Sequence, residues 1–324
     1  MISEITSHAT TRLLEAGLGG LNDSNWRSLM ILAVIAALLA IEAPQIRRER
    51  RQKDYRQSYL ANFGSLFLND ILLSLLSVSS LWMLASRYSG HGLLSGIDSG
   101  GVKALAAFIL LDFTLYLWHR ANHHFEWLWL FHKVHHSDRV MNVSTAFRLH
   151  FGEVFLTALV KAAFIVVMGV DATLVLANEA FITLWVLFHH TPIRLRGERW
   201  LGRLFTMPYL HRTHHSSLRA EHDANYGAAL SLWDRLFGTL CEAEPQALGL
   251  RDVPGQNLFE LLRFGLTLNP FPDRKALGSE PVSLGEWIAK AAYFRAEKRG
   301  FAPGYDLNDW LEAEREYRDF GSQH

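Results

Sequence analysis

The chain has 324 residues, 49% of them apolar and only 20% charged, with Lys+Arg and Asp+Glu equal at 32 and a formal net charge of zero. That balance argues against a nucleic-acid binder living on phosphate neutralisation. The single cysteine, Cys241, excludes an internal disulfide framework, a cysteine-rich zinc fold and a cysteine-ligated iron–sulfur cluster. Against this background stand 16 histidines, clustered between His119 and His222.

Crossing about 30 Å of hydrocarbon takes roughly 20 mostly apolar residues. Four runs approach that. Ser28 to Ile41 has no charge and is closed by Glu42 and Pro44; its length makes it the shortest candidate span. Leu66 to Ser86 holds one charge, Asp70. Val102 to Trp118 holds Lys103 and Asp112. Val154 to Phe188 is interrupted by Gly169-Val170-Asp171 and reads as a tight hairpin whose tip stops short of the far interface. The first apolar run starts too late, after a polar stretch, for a cleavable signal peptide.

Basic residues beside the spans set the expected orientation. Arg47, Arg48, Arg50, Arg51, Lys53 and Arg56 crowd the first loop, whereas the loop from Arg87 to Lys103 carries only those two cations. The first loop is then cytoplasmic. The third run delivers His119 to the cytoplasmic side, and the hairpin returns His189 and His190 there, ahead of Arg194, Arg196, Arg199 and Arg203. Trp118, Phe125, Trp127, Trp129 and Phe131 suit the interface. From about Glu242 charge, Pro and Gly increase. Ser283 to Lys298 reads as a helix, residues 300–304 as a turn, and Leu307 to Tyr317 as a second helix capped by Asp306. The fold class is all-α: an integral membrane helical bundle with a cytoplasmic histidine-rich helical cap and a small C-terminal helical hairpin. Its regions are 1–100, N-terminal membrane helices and basic loop; 101–241, the catalytic domain; and 242–324, a soluble helical module.

The histidine spacing is helical. His119 and His123 are i and i+4; His132, His135 and His136 are i, i+3 and i+4; His211, His214 and His215 repeat that pattern. Residues so spaced share a helix face and can converge. His124 points away from His119. With one more imidazole from the His189–His190 pair, the donors exceed what one tetrahedral zinc uses, and two ions fit better. Imidazole accepts iron, zinc, copper and nickel alike. The Glu-x-x-His signature of soluble di-iron bundles is absent from the sequence. A redox-active iron pair could reduce dioxygen, which zinc could not.

Carboxylates follow the same logic. Asp112 lies two helical turns before His119 on the same face, with Tyr116 between, and an ionisable group inside a span is a functional candidate. It could accept an imidazole N–H and fix a ligand tautomer, though about 10 Å of axial rise separates it from His119. Glu179, in the second limb of the hairpin, is a similar candidate. Asp223 suits an imidazole partner; Asp234 reads as structural.

His119-Arg-Ala-Asn-His123, His132-Lys-Val-His135-His136 and His211-Arg-Thr-His214-His215, with the flanking words Ser144-Thr-Ala-Phe-Arg148 and Asn225-Tyr226-Gly227, resemble the histidine boxes of the fatty acid hydroxylase / sterol desaturase superfamily. The resemblance covers roughly residues 100 to 240. It implies a membrane-bound, non-haem enzyme with two iron ions and dioxygen as co-substrate, acting on a lipid C–H bond. It further implies a ligand at His190 rather than His189, and so a set of His119, His123, His132, His135, His136, His190, His211, His214 and His215. Asp112, Tyr116 and Asp223 are the candidate catalytic residues. No haem, flavin or nicotinamide site is visible in the sequence, so electrons come from an external donor, ferredoxin- or cytochrome-type, or from a pterin as in the similar alkylglycerol monooxygenase branch. Where the family often has His-Pro-x-Glu, this chain reads His150-Phe-Gly-Glu153, which puts His150 in doubt as a ligand. His222 is peripheral, and His8, His91 and His324 lie outside the resemblance. The C-terminal segment resembles a short bacterial module, which implies a bacterial inner membrane; the basic loops put the histidine boxes and C-terminus on its cytoplasmic side. Desaturation, pterin-dependent alkylglycerol cleavage and, outside enzymes, membrane metal binding or transport are the alternatives.

Overall fold

The computed structural model describes residues 23–49, 51–75, 81–251, 253–267, 288–289, 292–293, 295–296 and 303–321. The chain divides into two compact units, Met1–Pro270 and Phe271–His324.

Long helices dominate the first unit because long apolar runs cannot leave backbone groups unpaired in hydrocarbon. In chain order they are α1 (Asp23–Arg48), α2 (Gln52–Leu75), α3 (Leu81–Tyr88), α4 (Gly100–His124), α5 (Glu126–His136), α6 (Phe151–Met168) and α7 (Ala172–His189). Short helices follow: α8 (Glu198–Leu201), α9 (Pro208–His214), α10 (Arg219–His222), α11 (Leu232–Leu236) and α12 (Leu258–Phe264). There is no β-strand among the described residues, only isolated bridges between Phe205 and Leu230 and between Ser216 and Leu248.

Among the described residues, three helices are long and apolar enough to cross a membrane: α4, α6 and α7, with mean hydropathy of 1.6, 2.0 and 1.5. Ser28–Ile41 is the middle of α1, whose last turn carries Arg47 and Arg48. Leu66–Ser86 is divided between α2 and α3, on either side of residues 76–80, which lie outside the described residues.

The hairpin is built as the Gly-Val-Asp interruption predicts. Gly169 ends α6 with φ 67°, and its amide donates to the Ile165 carbonyl. A Cβ at this position would lie 2.8 Å from the backbone of His91 and Gly92, so the left-handed turn and the close approach both require glycine. The Asp171 carboxylate accepts the Leu174 amide at 3.0 Å and caps α7. Each limb has 18 residues, about 27 Å of rise, just short of a ~30 Å hydrocarbon core. Ala85, Leu111, Leu115, Phe164, Ile165, Val175 and Ile182 form the apolar core joining α3, α4, α6 and α7.

Beside it lies a polar core. The 3₁₀ turn Val143–Phe147 is capped reciprocally by Asn142 and Thr145. Arg148, fully buried, donates to the Val134 carbonyl, Ser137 Oγ, Asn62 Oδ1 and Gln256 Oε1. Asp138 accepts from Ser58, Asn62 and Thr145. This network ties the C-terminal end of α5 to α2, and so fixes the helix that carries three of the histidines. Buried guanidinium and carboxylate groups are tolerated only when their hydrogen bonds are met in this way.

Residues 242–267 pack within the first unit: Leu261 and Phe264 of α12 close on Ala61 and Val134. The first compact unit runs to Pro270, and the apolar face of α12 is covered by α2 and α5. In the second unit, residues 303–304, the described part of the expected turn, form a turn with Gly304 at φ 92°, and α13 (Asp306–Gly321) takes Asp306 as its first residue, so the expected cap lies inside the helix. The expected helix Ser283–Lys298 lies largely outside the described residues, as do His8 and His324.

Candidate metal centre

Nine imidazoles converge where α4, α5, α7 and α9 meet. α4 ends at His124, Phe125 is extended (φ −95°, ψ 121°), and α5 starts at Glu126. That sharp reversal turns the His119/His123 face of α4 toward the histidines of α5. His190 caps the C-terminus of α7, and His215 that of α9.

The donors separate into two groups. His119, His123, His132, His136 and His214 offer ligand atoms within 4.8 Å of one another; His135, His190, His211 and His215 do the same. The division passes between neighbours in sequence. His135 and His136 serve different groups, as do His214 and His215, since successive side chains on a helix diverge by about 100°.

Hydrogen bonds orient most of the first group. Nδ1 of His119 donates to the Tyr226 carbonyl at 2.9 Å and Nδ1 of His214 to the Ala224 carbonyl at 2.6 Å. Nδ1 of His132 donates to Glu153 Oε1 at 2.7 Å and Nδ1 of His123 to Asp223 Oδ1 at 3.1 Å. Each such bond leaves Nε2 as a bare lone pair pointing inward. In the second group, only His190 is held this way, by the Val186 carbonyl at 2.6 Å.

The residues fit a cation. His119 Nε2 and His132 Nε2 face each other at 3.1 Å, although both rings have spent their proton on the opposite nitrogen. Two lone pairs at that distance repel unless a positive centre lies between or beside them. Nε2 of His123 and of His214 is buried without a partner, as are both nitrogens of His136 and Nδ1 of His135, His211 and His215. Nε2 of His123 and of His214 are orphaned acceptors, because Nδ1 of each ring carries the proton, and such buried lone pairs are costly unless a ligand satisfies them. Burial, reinforced by neighbouring imidazoles, pushes His135, His136, His211, His214 and His215 well below the usual histidine range. Burial likewise takes His190 down to about 4. These rings are neutral at pH 7, the form that binds metal.

The other expected residues have distinct places. Asp112 departs from the expectation that it accepts an imidazole N–H. Its oxygens take the amides of Ala229 and Leu230 and Nε1 of Trp233, at 2.8, 3.2 and 2.8 Å. Tyr116 is fully buried, bonded to Thr239 Oγ1 at 3.0 Å. Asp223 bridges His123 and Arg219. Asp234 accepts the Tyr226 and Gly227 amides at 2.8 and 2.9 Å, and burial raises its carboxyl to about 6. Asn225 adopts φ 57° and ties the Leu210 and Cys241 backbones together. A Cβ on Gly227 would lie 2.2 Å from the Leu230 carbonyl oxygen. Asp112, Asp234, Asn225 and Gly227 thus shape one loop, 224–230, whose carbonyls hold His119 and His214.

Five further described histidines stay outside both groups, and the first of them, His91, is exposed in the loop before α4. His124 is exposed. His150 accepts the Gly152 amide, capping α6, and stacks on Phe131. His222 bonds the Ser216 carbonyl and stacks on Trp129. His189 is buried with its ring centroid 3.9 Å from that of His211 and its Nδ1 unpartnered. Glu153, the partner of His132, is what the sequence reading missed. Its signal was a carboxylate in the first turn of an otherwise apolar helix.

A cavity of about 320 Å³ opens beside the histidines. His119, His132, His135, His190 and His211 form one end; Leu115, Ile182, Val186 and Leu187 form apolar walls.

Residues 104–239 match the fatty acid hydroxylase family. That match takes in the histidine-bearing segment, less than half of the chain, and is a similarity of this segment to the family. Residues 283–319 match a family of proteins of unknown function, DUF2934. The chain is 31% identical over 145 residues to the ornithine lipid hydroxylase OlsE of Rhizobium tropici, covering 42% of this chain and 41% of that protein. It is 26% identical over 236 residues to human alkylglycerol monooxygenase, covering 73% of this chain and 50% of that protein. The Caenorhabditis elegans alkylglycerol monooxygenase is 33% identical over 156 residues, 46% of this chain and 29% of that protein. The chain thus spans half or less of the length of these relatives. No solved structure matches it.

Proposed function

We propose that this protein is a membrane-bound, non-haem di-iron oxygenase that uses dioxygen and an external electron donor to hydroxylate a C–H bond of a lipid. The observation that carries the reading is the pair of histidine groups, each with ligand atoms within 4.8 Å of one another, beside an apolar cavity between α4, α6 and α7. His119, His123, His132, His136 and His214 would hold one ion; His135, His190, His211 and His215 would hold the other. Bound iron supplies the redox chemistry that activates dioxygen toward a C–H bond.

The chain's own residues do the rest. Glu153 and Asp223 accept the Nδ1 protons of His132 and His123, which raises the basicity of these rings and offsets cationic charge. Asp112 and Tyr116 act as positioning residues: Asp112 holds the 229–230 amides and Tyr116 anchors Thr239, behind the loop whose carbonyls orient His119 and His214. The apolar walls exclude water and admit a hydrocarbon chain. Lipid reaches the cavity laterally between the spans. The basic loops at Arg47–Arg56 and Arg194–Arg203 support an orientation in a bacterial inner membrane with the histidine face cytoplasmic. That face would meet the donor, a ferredoxin- or cytochrome-type protein. A pterin donor and alkylglycerol-type chemistry form the second reading, favoured by the relative that aligns with 73% of this chain.

Metal analysis of the purified protein together with lipid profiling under labelled dioxygen tests this. Two irons per chain and an alcohol retaining the label are expected. An unlabelled alkene would turn the reading to desaturation, and pterin-dependent turnover to the second reading. Metal binding without any oxygen consumption would overturn it.

A further inference from the structure

Beyond their first and last turns, α6 and α7 each carry one charged side chain, Lys161 and Glu179. Lys161 Nζ donates to Glu179 Oε2 at 2.6 Å, with 20% and 28% of the two side chains exposed. A charge inside a span is costly, and such residues face a protein interior or a cavity that uses them. Lys161 lines the same cavity as the histidines. An ammonium has three N–H donors and no acceptor. Glu179 takes one, and Lys161 makes no other hydrogen bond among the described residues. Two donors are therefore left for whatever fills the cavity.

The carboxylate beside it decides the chemistry of that occupant. Lys161 and Glu179 are neutral as a pair. An anion taking a spare N–H would sit beside the Glu179 carboxylate and leave a net negative charge uncompensated at membrane depth. A neutral carbonyl oxygen can accept a spare N–H with the pair intact. The position is also set. Lys161 lies eight residues beyond Glu153, the partner of His132, which is about 12 Å along α6.

We infer that Lys161 is the specificity-determining residue of this cavity: its ammonium takes the ester or amide carbonyl of an uncharged acyl linkage and sets the register of the lipid relative to the histidines. The inference rests on the proposed lipid oxygenation but assigns a role that the metal centre does not require.

Three probes of similar chain length test it with the full chain in nanodiscs: methyl palmitate, palmitate and hexadecane, with dissociation constants read from the shift in unfolding midpoint. Methyl palmitate is expected to bind about tenfold tighter than hexadecane, the usual return of one hydrogen bond from a charged donor, and at least as tightly as palmitate. Lys161→Met removes the ester advantage. Glu179→Gln frees the ammonium and shifts preference toward palmitate. The charge swap Lys161→Glu with Glu179→Lys keeps the helices paired, so it is folded, yet loses the ester preference. Equal binding of ester and hexadecane by the native protein, tighter binding of palmitate, or an unchanged ester-to-hexadecane ratio in the Lys161→Met or swapped protein would overturn the inference and leave the pair a tie between α6 and α7. Binding needs neither iron nor turnover. Failure here leaves the oxygenase reading standing, and absence of labelled product leaves this one standing.

Discussion

The two histidine groups differ in what stands behind their rings. In the five-histidine group, four imidazoles donate Nδ1–H to a fixed acceptor, two of them carboxylates. In the four-histidine group, only His190 does so, to a backbone carbonyl. Tautomer, orientation and compensating charge are thus built into the first and left to the metal in the second. Partners of this kind are worth tenfold to a hundredfold in affinity, so on the proposed reading the five-histidine group would be the tighter site and the other the exchangeable one.

Removing ligands tests this most severely. His214→Ala and His135→Ala should each abolish turnover. Metal analysis should show His135→Ala keeping about one ion per chain, held by the five-histidine group. In the native protein a chelator should strip the four-histidine ion first; loss of both together would break the comparison. Glu153→Gln comes next. Its carboxylate is buried against His132, and the amide cannot compensate charge, so a tenfold to hundredfold fall in affinity at that group is expected by metal titration, with the other ion unaffected.

The loop behind the tighter group gives a pH signature. Asp234 rises from 3.8 to about 6 through burial. Between those values the folded state holds a proton that the unfolded state has released, so stability falls as pH rises through the window, by up to roughly 3 kcal/mol. Asp234→Asn should flatten that part of the pH dependence of chemical denaturation, and cost about 1–3 kcal/mol by turning an amino group toward one of the two backbone donors, Tyr226 N–H or Gly227 N–H. The smallest effect belongs to Arg219, whose exposed guanidinium holds the outer oxygen of Asp223. Arg219→Ala should change metal affinity by less than about threefold, as exposed ion pairs do.

Features that depend on near neighbours in sequence were legible. The His119/His123 pair shares a face of α4 because helical periodicity is local, and Gly169-Val170-Asp171 announces a turn because a left-handed glycine and a capping carboxylate act within three residues. Contacts across the chain were not. Asp112 sits on the His119 face, as counted, yet its partners are 117 to 121 residues away. Glu153 reads as part of an incomplete motif until the reversal between α5 and α6 brings it to His132.

From the sequence alone come the helical character, the apolar hairpin and the clustering of imidazoles at helical spacing, all set by side-chain chemistry within a few turns. The tertiary structure decided how nine rings become five and four. Adjacent residues on a helix point about 100° apart, so the group that His135 or His136 joins depends on where α4, α7 and α9 stand around α5. That is a matter of packing between segments, which no local pattern encodes.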